Sequence, residues 1–383
     1  MAIVVAYSTD SSVKLALEKG NFDQLKREVE CYSAIDDVWL VTQDDVDYSH
    51  LFNHVLHFPC GIHILPPLNW LIYSVRAFLT MYKRVNNVSA IRAYGVGCLY
   101  TALLSTVCKV PLIVSYEYDW SDQLFLIGRR IIGCISRVVE TFMFSSADVV
   151  VGLSQRLCEK AGRRGARGVI WIPNGVDMNS IPSFAFQEKQ RLKAELAFSD
   201  QRIVLYVGRL HRIKRVADLI QAVGILRRKG VDVALLVVGD GEERSKLVKL
   251  VRVMGLESQV LFVGAVSHDQ VFRFMTIADV IVLPSIMEGN PRVLIEAMFC
   301  KLAITATDVV GINDLIVSGE NGLLVKPFSP GELSAAIGLL ISNQDISRKL
   351  VDQAYRKACE DFDQEKLLKK NVDLISSIMR KTI

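Results

Sequence analysis

DVIVLPSIMEGNPRVLIEAM, Asp279–Met298, is the stretch whose reading decides the fold. Its first residues are a nearly continuous apolar run, the mark of a strand buried on both faces of a parallel sheet. A Gly-Asn-Pro turn follows Glu288. The residues after it have helical periodicity, and the helix is expected to begin near Pro291, because proline is tolerated at the first helical position. A helix N-terminus at the carboxyl edge of a parallel sheet attracts anions. The amides of Arg292, Val293 and Leu294, with Gly289 and Asn290 before them, are placed to meet phosphate oxygens or sugar hydroxyls. Glu296 comes eight positions after Glu288. Two carboxylates would repel phosphate, so they suit hydroxyl groups better. The ligand implied is both phosphorylated and rich in hydroxyls. The plainer alternative is a solvated turn with a capping glutamate.

The same pattern extends on both sides. Ile203–Arg209, Val231–Asp240, Gln259–Gly264 and Leu302–Thr307 read as further parallel strands, with helical stretches such as Val216–Leu226 and Ser245–Val253 between them. In the first half, Ala2–Tyr7, Asp37–Thr42, Pro111–Tyr116 and Ala147–Ser154 read the same way. The fold class is therefore α/β, with two doubly wound domains. The domain assignment is 1–177, 178–363 and a terminal amphipathic helix over 364–383. A length of 383 residues accommodates two such domains.

Three more strand ends carry chemistry-bearing residues. GRLHRIK, Gly208–Lys214, follows a strong strand. Gly208 allows close backbone approach. Arg209 and Lys214 place two fixed positive charges where a leaving diphosphate would need them. Arg212 and Arg215 are expected to be solvated companions. VVGDG puts Gly239 in a turn, and GDGEER lacks the third glycine of a dinucleotide fingerprint. VLFVGAVS ends a strand at Gly264, with Ser267 as a helix N-cap. Backbone groups at Val263, Gly264 and the two residues after them could read the edge of a base.

Taken in order, GRLHRIK, VVGDGEER, VLFVGAVS, ADVIVLPSIMEGNPRVLIEAM and GINDLIVSGENGLLVKP resemble a retaining glycosyltransferase of the GT-B fold, family 4 type. IPNGVD, Ile172–Asp177, resembles the join between that family's two domains. The resemblance implies two Rossmann-like domains facing across a cleft, an acceptor-binding N-terminal domain and a donor-binding C-terminal domain. It implies a terminal helix that crosses back to the N-terminal domain. It also implies that Arg209 and Lys214 hold the donor diphosphate, Glu296 the ribose and Glu288 the donor sugar. The donor would be a UDP- or GDP-type sugar, and the acceptor a glycan or lipid-linked sugar. No metal or other cofactor is implied. Retention with no evident nucleophile pair suggests front-face attack, the leaving phosphate taking the acceptor proton; a covalent role for Glu288 is the alternative.

The first half departs from the family pattern. Ser8-Thr9-Asp10 stands where many members have Gly-Gly. SYEYDW, Ser115–Trp120, follows the strand after which many have a histidine. Glu117, Tyr118 or Asp119 would replace that histidine, Asp119 first among them. Arg92 reads as a surface salt-bridge residue, with an anionic acceptor as the alternative. Same-fold rivals are a nucleotide-sugar epimerase or phosphorylase. A non-catalytic nucleotide-sugar binder is the rival outside enzymes. The incomplete glycine fingerprint speaks against an NAD-dependent oxidoreductase.

A net charge of +4 is too small to indicate a nucleic-acid partner. The eight cysteines have no CxxC spacing, which fits a reducing, cytoplasmic compartment. The N-terminus lacks the basic start and long apolar run of a signal peptide. His50, His54, His57 and His63 cluster without carboxylate or cysteine spacing, so no metal site is expected. Phe58–Val75 is apolar, and Arg76, Lys83 and Arg84 follow it. Between Gln123 and Val176 eight basic residues, Arg129, Arg130, Arg137, Arg156, Lys160, Arg163, Arg164 and Arg167, face three acidic ones, Glu140, Asp148 and Glu159. This pattern suits peripheral contact with anionic lipid on the inner membrane face. A buried helix with a solvated basic face is the alternative.

Overall fold

The structure is a computed structural model and describes residues 1–7, 13–19, 22–61, 68–95, 98–126, 128–182, 186–196, 198 and 201–382. The chain divides into two compact units, Met1–Pro173 with Glu365–Ile383, and Asn174–Gln364. The first join falls before residue 177 because Val176 already belongs to the second unit. Its N–H donates to Phe362 O (3.0 Å), and Gln364 N–H returns to Val176 O (3.3 Å).

The first unit is built on strands β1 (Ala2–Tyr7), β2 (Asp37–Thr42), β3 (Val55–Pro59), β4 (Val88–Tyr94), β5 (Leu112–Tyr116), β6 (Val149–Gly152) and β7 (Val169–Trp171). They form one sheet in the order β3-β2-β1-β4-β5-β6-β7, and every pairing is parallel. Parallel strands need crossovers, so helices cover both faces and two apolar layers result. One layer packs Tyr73, Met81, Tyr100 and Phe144 on Val4, Ile91 and Val114. The other packs Leu367, Ile375 and Ile378 of the last helix, Gln364–Thr382, on Ile3, Val5 and Tyr7.

The second unit contains β8 (Arg202–Val207), β9 (Val233–Val238), β10 (Val260–Gly264), β11 (Val280–Leu283), β12 (Ala303–Thr307) and β13 (Leu323–Val325), in the parallel order β10-β9-β8-β11-β12-β13. Leu205, Leu236, Ile281 and Ile304 are all at most 1% exposed, which explains the unbroken apolar runs. In both sheets the strand order reverses once, at β1/β4 and at β8/β11. Ligands of open α/β sheets bind outside the carboxyl ends of the strands at such a reversal. Among the described residues, no helix is long and apolar enough to cross a membrane.

Candidate functional site

In the second unit, the loops leaving β8, β9 and β10 meet backbone to backbone. Gly208 N–H donates to Val238 O (3.0 Å), and Gly239 N–H to Gly264 O (2.8 Å). Gly239 has φ +133°, and a Cβ on it would stand 2.0 Å from Gly208 O. Only glycine fits there. Val263, on β10 beside Gly264, is half-buried.

The chain after β8 makes a short turn, Arg212–Lys214, capped by His211 Nδ1, which accepts the Ile213 N–H (3.3 Å). Ile286 N–H, from the loop after β11, donates to Ile213 O (2.9 Å). The two loops at the reversal are thereby tied together. Lys214 Nζ lies 2.7 Å from Glu288 Oε1, and the Glu288 side chain is only 8% exposed. Arg209 is exposed and has no ion pair among the described residues. Its carbonyl accepts the Tyr206 hydroxyl (3.0 Å). Burial, then the nearby Glu288 charge, push the Tyr206 phenol far up, so it remains a donor. Arg215 is no solvated companion. It forms two bonds to Asp218 (2.9 and 2.6 Å) and lies 4.7 Å over the Phe328 ring. Among the described residues, Arg209 and Arg212 are therefore the cations of this turn without an ion pair.

The helix after the Gly-Asn-Pro turn is Arg292–Phe299, and Pro291 is its N-cap, not its first residue. Leu294 N–H donates to Pro291 O (3.0 Å), so the free amides are those of Arg292 and Val293. Asn290 is buried, and its Oδ1 accepts Asn174 N–H (3.0 Å) while Asn174 Nδ2 donates to Asn290 O (2.8 Å). Gly311, φ +81°, lies against this turn, and a Cβ on it would stand 2.3 Å from Gly289 O. Glu296 is buried, with His268 Nε2 at 2.8 Å and Arg292 Nε at 3.9 Å from its Oε1. Ser267 is the N-cap of the helix His268–Ile277, and Gln270 Oε1 accepts its N–H (3.3 Å). That cap sets His268 at the carboxyl end of β10.

In the first unit the carboxylate of Asp119 is already occupied. It caps the helix Trp120–Leu126 by accepting Asp122 N–H (3.0 Å) and the Ser121 hydroxyl (3.1 Å), and it pairs with Lys160. Burial opposes its charge, but the Lys160 hydrogen bond and these neighbours hold its pKa below the usual range. In the free protein the Asp119 carboxylate is thus engaged in this cap and ion pair. Lys160 and Arg164 are likewise not a free basic surface: Lys160 also pairs with Asp122, and Arg164 with buried Glu140. Arg92 is 2% exposed rather than on the surface. It stands on β4 opposite Val5, donates to Asn371 Oδ1 (3.0 Å) and lies 5.2 Å over the Tyr94 ring. His57 is buried and bonded to Thr42 Oγ1 (2.7 Å) and Tyr48 N–H (2.9 Å). Ser8, Thr9, Asp10 and His63 lie outside the described residues.

Glu117, directly after β5, is half-buried. Burial, then the Glu28 charge, push its carboxyl up to about 7 against the pull of Arg92. The folded state thus keeps a proton that the unfolded chain releases near 4.5. The stability this contributes is complete below that value and is lost as pH rises through about 7. The wild-type melting temperature should fall between about pH 5 and pH 8 by a few degrees more than that of Glu117→Gln, at about 2–4 °C per kcal/mol for a unit of this size. Parallel pH curves for the two proteins would refute this reading of Glu117.

The family described as "Glycosyl transferases group 1" matches residues 188–357. An uncharacterized glycosyltransferase of Haemophilus influenzae is 31% identical over 275 residues, covering 72% of each chain. The chain belongs to the group 1 glycosyltransferases. The alpha-D-kanosaminyltransferase of Streptomyces kanamyceticus is 28% identical over 266 residues, 68% of this chain and 69% of that one. Among solved structures, Anabaena HepE in complex with UDP-glucose superposes with a TM-score of 0.78 at 21% identity, over 98% of this chain and 100% of that one. The fold is GT-B. In this glycosyltransferase the sequence left His268 and Gly311 unmarked. The Ser267 cap could have flagged His268, since it places the next residue at the same sheet edge as the two glutamates.

Proposed function

We propose that this glycosyltransferase transfers a sugar, with retention, from a nucleoside diphosphate sugar to a glycan or polyprenyl-linked acceptor at the cytoplasmic face of a membrane. The observation that carries the reading is the group at the β8/β11 reversal, where Lys214 is held 2.7 Å from Glu288 beside the unpaired Arg209. Arg209 and Lys214 hold the donor diphosphate and offset the charge that develops as its bond to the sugar breaks. With two fixed cations in that role, the reaction needs no metal. Glu288 accepts hydrogen bonds from the donor sugar, and Glu296, oriented by His268, accepts from the ribose. The Arg292 and Val293 amides point at phosphate or sugar oxygens, and the backbone at Val263 and Gly264 reads the base. The acceptor hydroxyl attacks on the face the diphosphate leaves, and its proton passes to the leaving phosphate oxygen. The remaining work of the protein is positioning and charge stabilisation. The UDP-glucose bound by the Anabaena neighbour makes UDP the first nucleotide to test.

The test is thermal stabilisation by UDP, GDP, ADP, CMP and NAD, with and without magnesium. A ligand at ~100 times its Kd adds ~2.7 kcal/mol to the state that binds it. Stabilisation by one nucleoside diphosphate, undiminished without magnesium, is the expected result. Stabilisation by NAD alone, or by none of the five, would overturn the reading.

A further inference from the structure

Three helices of the first unit, Leu68–Tyr82, Leu99–Cys108 and Arg130–Ser146, lie side by side in one layer over the sheet. Each buries one face in the same apolar cluster, through Tyr73, Ala77 and Met81, through Tyr100, Ala102 and Leu104, and through Met143 and Phe144. The outer face of such a layer is ordinarily polar. Here it is not. On Arg130–Ser146 the positions 131, 135, 138 and 142 recur at four- and three-residue steps, which is one stripe of a helix. The stripe is opposite the buried face formed by Gly133, Glu140, Met143 and Phe144. Ile131 is 79%, Val138 71% and Ile135 60% exposed, and Val107 on the neighbouring helix is 62% exposed. Val75, Leu79, Tyr82 and Leu103 extend the face across the other two helices. Contiguous exposed apolar surface of this kind marks an interaction site.

The charges around it select the occupant. Over 68–84, 99–109 and 129–146 the basic residues are Arg76, Lys83, Arg84, Lys109, Arg129, Arg130 and Arg137, all exposed. The one acid in those segments is Glu140, which is buried and paired with Arg164. Two acids lie close by: Asp122 pairs with Arg137, and Asp148 is exposed beside Lys109 and Phe142. The cations outnumber them, and an apolar face with a predominantly cationic rim complements an anionic bilayer, whose headgroups meet the rim while the acyl region receives the stripe. A second copy of the same surface would set cation against cation. The run Phe58–Val75 contributes Val75 to this face, its residues 62–67 lie outside the described residues, and the strongest exposure lies on Arg130–Ser146.

We propose that the outer face of these three helices docks this enzyme on an anionic lipid bilayer. The proposal deepens the membrane-face reading of the acceptor and rests on it. The test is co-sedimentation of the full chain with phosphatidylglycerol-containing vesicles and with pure phosphatidylcholine vesicles. Wild type should sediment with the anionic vesicles and at least about tenfold less with the neutral ones, and its binding should weaken with salt. Ile131→Asp with Val138→Asp should lower anionic-vesicle binding by about tenfold or more, and Arg129→Glu with Arg130→Glu should do the same. Val253→Asp, at an equally exposed apolar site in the second unit, should leave it unchanged. Melting curves confirm that each variant folds. No binding to either vesicle, equal binding to both, or full binding by either double variant would overturn the proposal. So would a vesicle-free dimer dispersed by Val138→Asp. Stabilisation by nucleotide is read without vesicles, so failure of docking and failure of the donor-site reading are separate results.

Discussion

Arg209→Ala combined with Lys214→Ala should lower kcat/KM by about 10³ or more, since one donor aimed at developing charge is typically worth about 10²–10³. The loss should fall on the diphosphate. Affinity for the nucleoside diphosphate should drop by at least about tenfold, with affinity for the bare nucleoside changed little, because neither side chain belongs to the base-reading loop at Val263 and Gly264. The two substitutions differ in what they do to the free protein. Arg209 is exposed and unpaired, so its removal should leave the melting temperature nearly unchanged. Lys214 is the partner of Glu288, whose side chain is 8% exposed, and its removal leaves a buried carboxylate without its cation. That costs about 1–3 kcal/mol. The single variants therefore separate function from stability: Arg209→Ala should lose binding without losing stability. Calorimetric titration with the diphosphate and the nucleoside is the measurement. Equal diphosphate binding by the double variant and wild type would remove both residues from the phosphate site.

Most of this architecture was legible because parallel strands buried on both faces leave unbroken runs of Val, Ile and Leu. β8, β9 and β11 could be read to within a residue or two on that basis. β7 and β13 could not. Each has three residues, and only its neighbour in the sheet distinguishes it from a loop. Of the site, the residue types at the strand ends were legible and their partners were not. Lys214 and Glu288 are 74 positions apart, and only the adjacency of β8 and β11 brings them together. His268 meets Glu296 across 28 positions for the same kind of reason. Asp119 shows the opposite case. Asp-Trp-Ser-Asp at the start of a helix is a capping pattern, and that local signal foretold the hydrogen bonds Asp119 makes. The basic residues between Gln123 and Val176 looked alike in sequence. Folding divides them into Lys160 and Arg164, spent on buried carboxylates, and Arg129 and Arg130, left on the rim of an exposed apolar face.

Glu288→Gln should separate turnover from affinity in a way that its neighbour cannot. In the free protein the carboxylate holds Lys214 at 2.7 Å. A diphosphate entering beside Lys214 competes with that carboxylate for the ammonium, and the two anions repel each other. Glutamine has nearly the same shape, keeps an acceptor oxygen and carries no charge. Affinity for the nucleoside diphosphate should therefore stay level or rise by a few-fold, a gain of less than about 1.4 kcal/mol. Turnover should fall by about 10² or more. A neutral amide is a weaker acceptor for the sugar hydroxyl than a carboxylate, and an imprecisely held donor sugar loses the alignment that unimolecular attack requires. The signs are opposite to those for Lys214→Ala, which should lose affinity and turnover together. Titration calorimetry for the nucleotide and single-turnover rates for the transfer distinguish the two patterns. If Glu288→Gln weakened the nucleotide as much as Lys214→Ala does, the carboxylate would be acting only to position the lysine. If its turnover were unchanged, Glu288 would have no part in handling the donor sugar, and the pair with Lys214 would be a surface tie between two loops.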